Sequence, residues 1–136
     1  MKSLAVRYFW TVMVTAAAML VLPQAVTAAE AEVITLGVRG DAHQRILVLR
    51  PEGPPRAIAI LYPGGSGSIG LRRDGSLKRS DNFLVRSRVH FASQGLLVAV
   101  VDRPSDWAGS DKESYRLSKA HVEDAAAIAR RMREIA

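Results

Sequence analysis

Runs of apolar residues, separated by polar segments rich in glycine and proline, divide the chain into predicted strands and helices. The first two runs, Glu32–Val38 and Arg45–Leu49, are short and rich in valine, isoleucine and leucine, and a polar turn joins them. This pattern predicts a β-hairpin. Two later runs, Ala57–Tyr62 and Leu96–Val101, are apolar throughout, which is typical of parallel strands covered on both faces. We expect the Ala57–Tyr62 strand to lie in the middle of the sheet.

Two further segments have the apolar spacing of amphipathic helices. The first begins after a cap at Asp81 and runs to Gln94, and Gly95 follows where a left-handed residue ends a helix. The second begins after Ser118, and its apolar stripe is Val122, Ala125, Ile128 or Ala129, Met132 and Ile135. The chain therefore predicts an α/β fold, in which a β-hairpin leads into parallel strands with flanking helices on both faces.

The N-terminal segment has the pattern of a secretory signal. Lys2 and Arg7 precede the uncharged apolar stretch Phe9–Leu22, and small residues follow up to Ala29. This stretch is shorter than the ~20 residues that a membrane-spanning helix needs. We therefore predict a signal peptide at residues 1–28, cleaved after Ala28.

The predicted cleavage leaves one domain, residues 29–136, in the periplasm or outside the cell. Its composition is ordinary for a globular protein, because 49% of the whole chain is hydrophobic and 24% is charged. Loss of Lys2 and Arg7 lowers the formal net charge from +6 to +4, and the remaining arginines are scattered. We therefore expect no nucleic-acid partner, and membrane contact only through an uncleaved signal segment.

Metal and cofactor chemistry finds little support in the sequence. The chain has no cysteine, which excludes disulfides, thiolate metal sites and a cysteine nucleophile. We expect the three histidines to be surface or satisfied residues, and two aspartates to have capping or loop roles, with no recognisable metal set among them. These residues are His43, His90, His121, Asp102 and Asp106. We predict neither a metal nor a cofactor.

The strongest candidate for chemistry is residues 63–70, which we call the glycine loop. Four glycines directly after a buried strand are more than one tight turn needs, although a turn alone is one interpretation. A second interpretation is a dinucleotide fingerprint, since residues 65–70 match G-x-G-x-x-G, but a polar turn follows where that motif needs a helix. The third is an oxyanion loop, whose uncovered N–H groups stabilise a carbonyl oxygen that becomes negative during acyl transfer.

The order of these elements resembles that of the α/β-hydrolase family over essentially all of residues 29–136. The features that carry the likeness are the hairpin, the proline-rich bend at 51–55, the strand ending in Tyr62-Pro63-Gly64-Gly65-Ser66-Gly67, the helix Asn82–Arg88 and the strand closing on Val101–Asp106. The chain is most similar to exported bacterial members with Pro-Gly-Gly where many esterases have His-Gly-Gly. The resemblance implies a backbone oxyanion hole at Gly64, Gly65 and Ser66, and esterase-type hydrolysis of a small ester or amide.

The chain departs from that family in its catalytic residues. It contains no G-x-S-x-G nucleophile turn, and in the family an acid and a histidine follow that turn, so we identify no catalytic residue. We expect the N-terminal half of a hydrolase-like sheet, incomplete, with an open apolar edge at the strand from Leu96 that would permit self-association. Three functions stay open: an acyl hydrolase or a truncated relative lacking the nucleophile, a noncatalytic secreted domain that binds an anion or carboxylate, and a dinucleotide-binding domain.

Overall fold

The computed structural model describes residues 30–107 and 112–136, so the predicted signal peptide lies outside the described residues. In the described part of the chain, four strands and two long helices follow one another in the order that the apolar pattern predicts, and a short helix, α2, is additional. The elements are β1 (Ala31–Arg39), β2 (Ala42–Leu49), β3 (Ala57–Leu61), α1 (Phe83–Ser93), β4 (Leu96–Val101), α2 (Lys112–Arg116) and α3 (Lys119–Ile135). No helix in this part of the chain is long and apolar enough to cross a membrane.

The strands form one mixed sheet in the order β1-β2-β4-β3. The hairpin strands β1 and β2 are antiparallel, β2 also pairs with β4 antiparallel, and β3 pairs with β4 in parallel. The predicted α/β fold, in which a hairpin leads into parallel strands, is therefore confirmed at this level.

The predicted places of the two apolar strands in the sheet are wrong. β4 is central, because β2 and β3 pair with its two edges, whereas β3 occupies the outer position of the described sheet. On the parallel side of the described sheet, the unpaired edge therefore belongs to β3 and not to the strand from Leu96. An all-apolar run reports that both faces of a strand are covered, but it carries no information about which edges are hydrogen-bonded.

Helices cover both faces of the sheet, and alternate residues of each strand supply the two cores. The first core packs against α1, and its buried members are Leu47, Leu49, Leu61, Ile69, Leu71, Val85, Ala92, Val98 and Val100. The second packs against α3, and its buried members are Ile46, Val48, Leu97, Ala99, Val101, Ile128 and Met132. Since Ile69 and Leu71 are nearly inaccessible to solvent, the end of the glycine loop and the residue after it are anchored in the first core.

Polar side chains cap the N-termini of both long helices, α1 and α3. The Asn82 side chain accepts a hydrogen bond from the Leu84 N–H at 3.1 Å, so α1 is capped one residue later than the predicted Asp81. Ser118 caps α3, as predicted, and its Oγ accepts from the His121 N–H at 3.2 Å. Capping satisfies N–H groups that have no partner within the helix, so both helices start at defined residues.

Candidate functional site

The glycine loop leaves β3 at the edge where the parallel pair β3 and β4 ends. Gly65 has a φ of +70°, which favours glycine and turns the chain sharply away from the strand. No residue in the described ranges accepts a hydrogen bond from the backbone N–H of Gly64, Gly65 or Ser66. Gly64 and Gly65 are also exposed, so their N–H groups are accessible to a ligand.

Asp102, at the end of β4, fixes the far half of this loop. Its Oδ1 accepts from the N–H of Ile69 at 2.9 Å, and its Oδ2 accepts from the N–H of Leu71 at 2.8 Å. Oδ1 also accepts from the N–H of Arg103 at 2.8 Å. Asp102 is only 9% exposed, and hydrogen bonds from N–H groups to a carboxylate are stronger than those between neutral groups. The loop role expected for Asp102 is therefore observed, and its carboxylate is already engaged.

Two arginines contact the near half of the glycine loop. Arg79 Nη1 donates to the Ser66 Oγ at 2.7 Å, and Arg116 Nη2 donates to the Pro63 carbonyl oxygen. Their guanidinium groups place positive charge next to the unpaired N–H groups. This end of the sheet is therefore suited to hold negative charge.

A second group of functional side chains lies beside the loop, and we call it the aromatic–polar cluster: Arg39, Tyr62, Tyr115, His121 and Asp124. The His121 ring packs edge-on against Tyr62 and Tyr115, with ring centroids 5.1 and 5.0 Å away. The Tyr115 hydroxyl donates to Asp124 Oδ2 at 2.7 Å, and Arg39 Nε lies 2.9 Å from Asp124 Oδ1. The Asp124 side chain is 1% exposed, and a carboxylate buried to this extent needs a cation beside it. Arg39 supplies that positive charge.

Burial controls protonation in this cluster. It raises the pKa of Tyr62 to about 12, with the Asp124 charge acting in the same direction. Burial, and then the hydrogen bond to Asp124, raise the pKa of Tyr115. Burial, and then the nearby Arg116 charge, lower the pKa of His121, against the opposite effect of Asp124. Both tyrosines and His121 therefore stay neutral at pH 7.

The arrangement of these groups is not that of a serine-hydrolase catalytic centre. Ser66 and His121 line the same cavity, which measures about 30 Å³, enough for one or two water molecules but not for a substrate. The Ser66 Oγ is bonded to Arg79, and neither Ser66 nor Ser68 has a histidine partner. The Asp124 carboxylate lies against Tyr115 and Arg39 and is not hydrogen-bonded to His121.

The other predicted candidates are dispersed. His43 and His90 are exposed, on β2 and α1, and Asp106 forms a two-pronged ion pair with Arg39, with distances of 2.6 and 3.0 Å. Within residues 30–107 and 112–136, no group of three or more histidine, aspartate or glutamate side chains could hold a metal ion. The residue that ends the G-x-G-x-x-G match is Gly70, and α1 begins only at Phe83. The glycine loop therefore lacks the helix that a pyrophosphate site needs.

The aromatic–polar cluster was missed by the sequence interpretation. His121 is half-buried, and its Nδ1 has no hydrogen-bond partner among the described residues, so it is neither a surface nor a satisfied histidine. The apolar stripe predicted for α3 included Val122, which is 66% exposed. Ile128 and Met132 are buried, as predicted, but Asp124 lies on the same buried face, and this i, i+4, i+8 spacing was the signal that could have identified a buried acid.

Comparisons of the chain with protein-family models, curated proteins and solved structures found no match. The functional argument therefore depends on the geometry of the glycine loop and its neighbours.

Proposed function

We propose that this protein is an exported α/β-hydrolase-like protein whose glycine loop supplies the oxyanion hole of an esterase-type acyl hydrolase. The observation that carries the proposal is the set of backbone N–H groups without acceptors at Gly64, Gly65 and Ser66. They follow β3, at the carboxyl end of a parallel strand pair, which is where ligands bind in open α/β sheets.

Two features suit these N–H groups to the role: they are accessible, and the loop that carries them is held at both ends. Gly64 and Gly65 have no side chain that would cover the N–H groups, so a carbonyl oxygen can approach closely. Asp102 holds the far end of the loop through the N–H groups of Ile69 and Leu71, and Arg116 holds the near half at Pro63. Donors fixed before the reaction stabilise a developing oxyanion without reorganisation, and one such donor contributes ~3 to 4 kcal/mol in an intact site.

The proposal assigns the oxyanion hole, and not the nucleophile, to the residues described. Ser66 and Ser68 lie on the glycine loop itself, and no general base among the described residues contacts either hydroxyl. Backbone donors stabilise a tetrahedral intermediate but do not attack a carbonyl. We therefore expect the purified chain to show no serine-hydrolase turnover by itself.

The oxyanion role is tested by titrating the ¹⁵N-labelled chain with ethyl phenylphosphonate, a tetrahedral monoanion that resembles the acyl-transfer intermediate. The expected result is a saturable shift of the Gly65 and Ser66 amide resonances, which is larger than with acetate at the same concentration. The amides of Gly40 and Gly53, which are exposed turn glycines, serve as controls. Shifts at Gly65 and Ser66 no larger than those at the controls would contradict the proposal.

The absence of a nucleophile is tested with a fluorophosphonate probe and a p-nitrophenyl acetate assay. Neither labelling nor turnover above the buffer rate is expected. Labelling at Ser66 or Ser68, together with turnover that is lost in the matching Ser→Ala variant, would overturn this assignment. The glycine loop would then be the nucleophile turn itself.

A second function, noncatalytic binding of an anion or carboxylate, is favoured by the two guanidinium groups of Arg79 and Arg116 at the same loop. The two functions differ in the shape of the preferred ligand. Equal loop shifts with planar acetate and with the tetrahedral phosphonate would favour simple binding. A clear preference for the tetrahedral anion would favour the oxyanion hole.

Export is proposed from the charge and apolar pattern of residues 1–28. It places the protein in the periplasm or outside the cell. Mass spectrometry of protein from the native host tests it, and the expected N-terminus is Ala29. Protein that retains Met1 in the soluble cytoplasmic fraction would contradict export.

A further inference from the structure

A second concavity borders the glycine loop at Ser68 and Gly70, away from the proposed oxyanion donors at residues 64–66. It is open to solvent and has a volume of about 360 Å³, so it has room for a small ligand. Four cationic side chains line it, and we call it the basic groove: Arg45, Arg72, Lys78 and Arg103.

The positive charge of the basic groove is only partly balanced by acids. None of its four cationic side chains forms an ion pair with a carboxylate in the described part of the chain. The groove has one acid in its lining, Asp102, whose oxygens already accept three backbone N–H groups. Asp74, which is near Arg72, is bonded to Ser76. The groove therefore has a formal excess of positive charge.

Arg45 gives an independent indication that the groove is built for an acceptor. Its Nη1 donates to the Leu71 carbonyl oxygen at 3.0 Å, which holds the guanidinium at the groove. Its Nε is buried and has no hydrogen-bond partner among the described residues. A buried donor without an acceptor costs free energy, and a bound ion or water is one of the ways in which native proteins satisfy such a group.

We propose that the basic groove binds a polyvalent oxyanion of the phosphate or pyrophosphate class. Several cations around one open groove attract an anion in proportion to its charge, so a polyvalent anion is favoured over a monovalent carboxylate. Guanidinium groups match the oxygen spacing of phosphate and bind it through paired hydrogen bonds. This site is separate from the oxyanion hole, and it does not depend on hydrolase activity.

The proposal is tested by isothermal titration calorimetry of the purified full chain with inorganic pyrophosphate at low ionic strength. Arg103→Gln and Lys78→Gln each remove one groove cation, and each is expected to weaken binding about tenfold, as for loss of one charge-assisted hydrogen bond. Arg86→Gln is the matched control, because Arg86 is an exposed cation on α1 outside the groove. The Arg86→Gln variant is expected to change the affinity less than about twofold, because salt screens the interaction between a charge outside the groove and the bound anion.

Two further measurements keep the result unambiguous. Arg103→Lys retains the charge and should recover part of the affinity, and circular dichroism should show that every variant is folded. Binding of free pyrophosphate identifies a soluble anion as sufficient. Binding only to vesicles that carry phosphatidic acid, lost in Arg103→Gln, identifies the same chemistry on a lipid headgroup. No binding of either probe, or an equal loss in Arg86→Gln, would overturn the proposal.

Discussion

Replacement of Asp102 by asparagine changes the side chain that connects the end of β4 to the glycine loop. The wild-type carboxylate accepts from the N–H groups of Ile69, Leu71 and Arg103 at 2.8 to 2.9 Å. Asparagine has one acceptor oxygen and one NH₂ group. If the oxygen keeps the place of Oδ1, the NH₂ group faces the Leu71 N–H, and two donors oppose each other.

The expected loss follows from the hydrogen bonds that change. A hydrogen bond to a charged acceptor contributes about 1.5–3 kcal/mol, and a buried donor left without an acceptor costs about 1–3 kcal/mol. The donor and acceptor residues of the Leu71–Asp102 hydrogen bond are both nearly inaccessible to solvent, since Leu71 is 1% and Asp102 is 9% exposed. We therefore expect Asp102→Asn to lower the free energy of unfolding by about 2–4 kcal/mol, which is a large fraction of a typical domain's stability.

Urea denaturation followed by circular dichroism measures this loss. Asp81→Asn is the matched control, because Asp81 is exposed and forms no hydrogen bond or ion pair with described residues, and its effect should stay within about 0.5 kcal/mol. Amide hydrogen exchange supplies a local readout, and the Leu71 N–H should exchange faster in Asp102→Asn. A loss below about 0.5 kcal/mol, or unchanged exchange at Leu71, would refute the role assigned to Asp102.

Two further predictions concern the aromatic–polar cluster. Tyr115→Phe removes the hydroxyl that donates to buried Asp124 and should lower the free energy of unfolding by about 1.5–3 kcal/mol, whereas Tyr62→Phe removes a hydroxyl without a described partner and should cost less than about 0.5 kcal/mol. Equal losses in urea denaturation would contradict the hydrogen-bond assignment. Burial lowers the pKa of His121 below 6.5, so the unfolded chain binds more protons there and stability falls as pH decreases below about 6.5. His121→Gln should flatten this fall, while His90→Gln, at an exposed position, should not; identical pH profiles for both variants would exclude the His121 contribution.

The sequence predicted the strands, the two long helices and the position of the glycine loop, but not α2. Short runs rich in valine, isoleucine and leucine and two all-apolar runs identified the four strands, and helical spacing identified α1 and α3, because these patterns arise from the local geometry of each element. Gly95 confirms the predicted helix end, with a φ of +82°. The glycine loop follows the parallel strand β3, as predicted, since four glycines in one short segment are a local signal.

Only the tertiary structure decided how these parts are arranged. The choice of β4 as the central strand depends on hydrogen bonds to β2 and β3, which are distant in the chain and leave no mark on local apolar pattern. The same holds for Asp102, whose partners Ile69 and Leu71 are 33 and 31 residues away. Helical spacing could place Asp124 on the buried face of α3, but not its partners: a buried carboxylate needs a cation and a donor, and Arg39 and Tyr115 meet it only when α3 packs on the sheet.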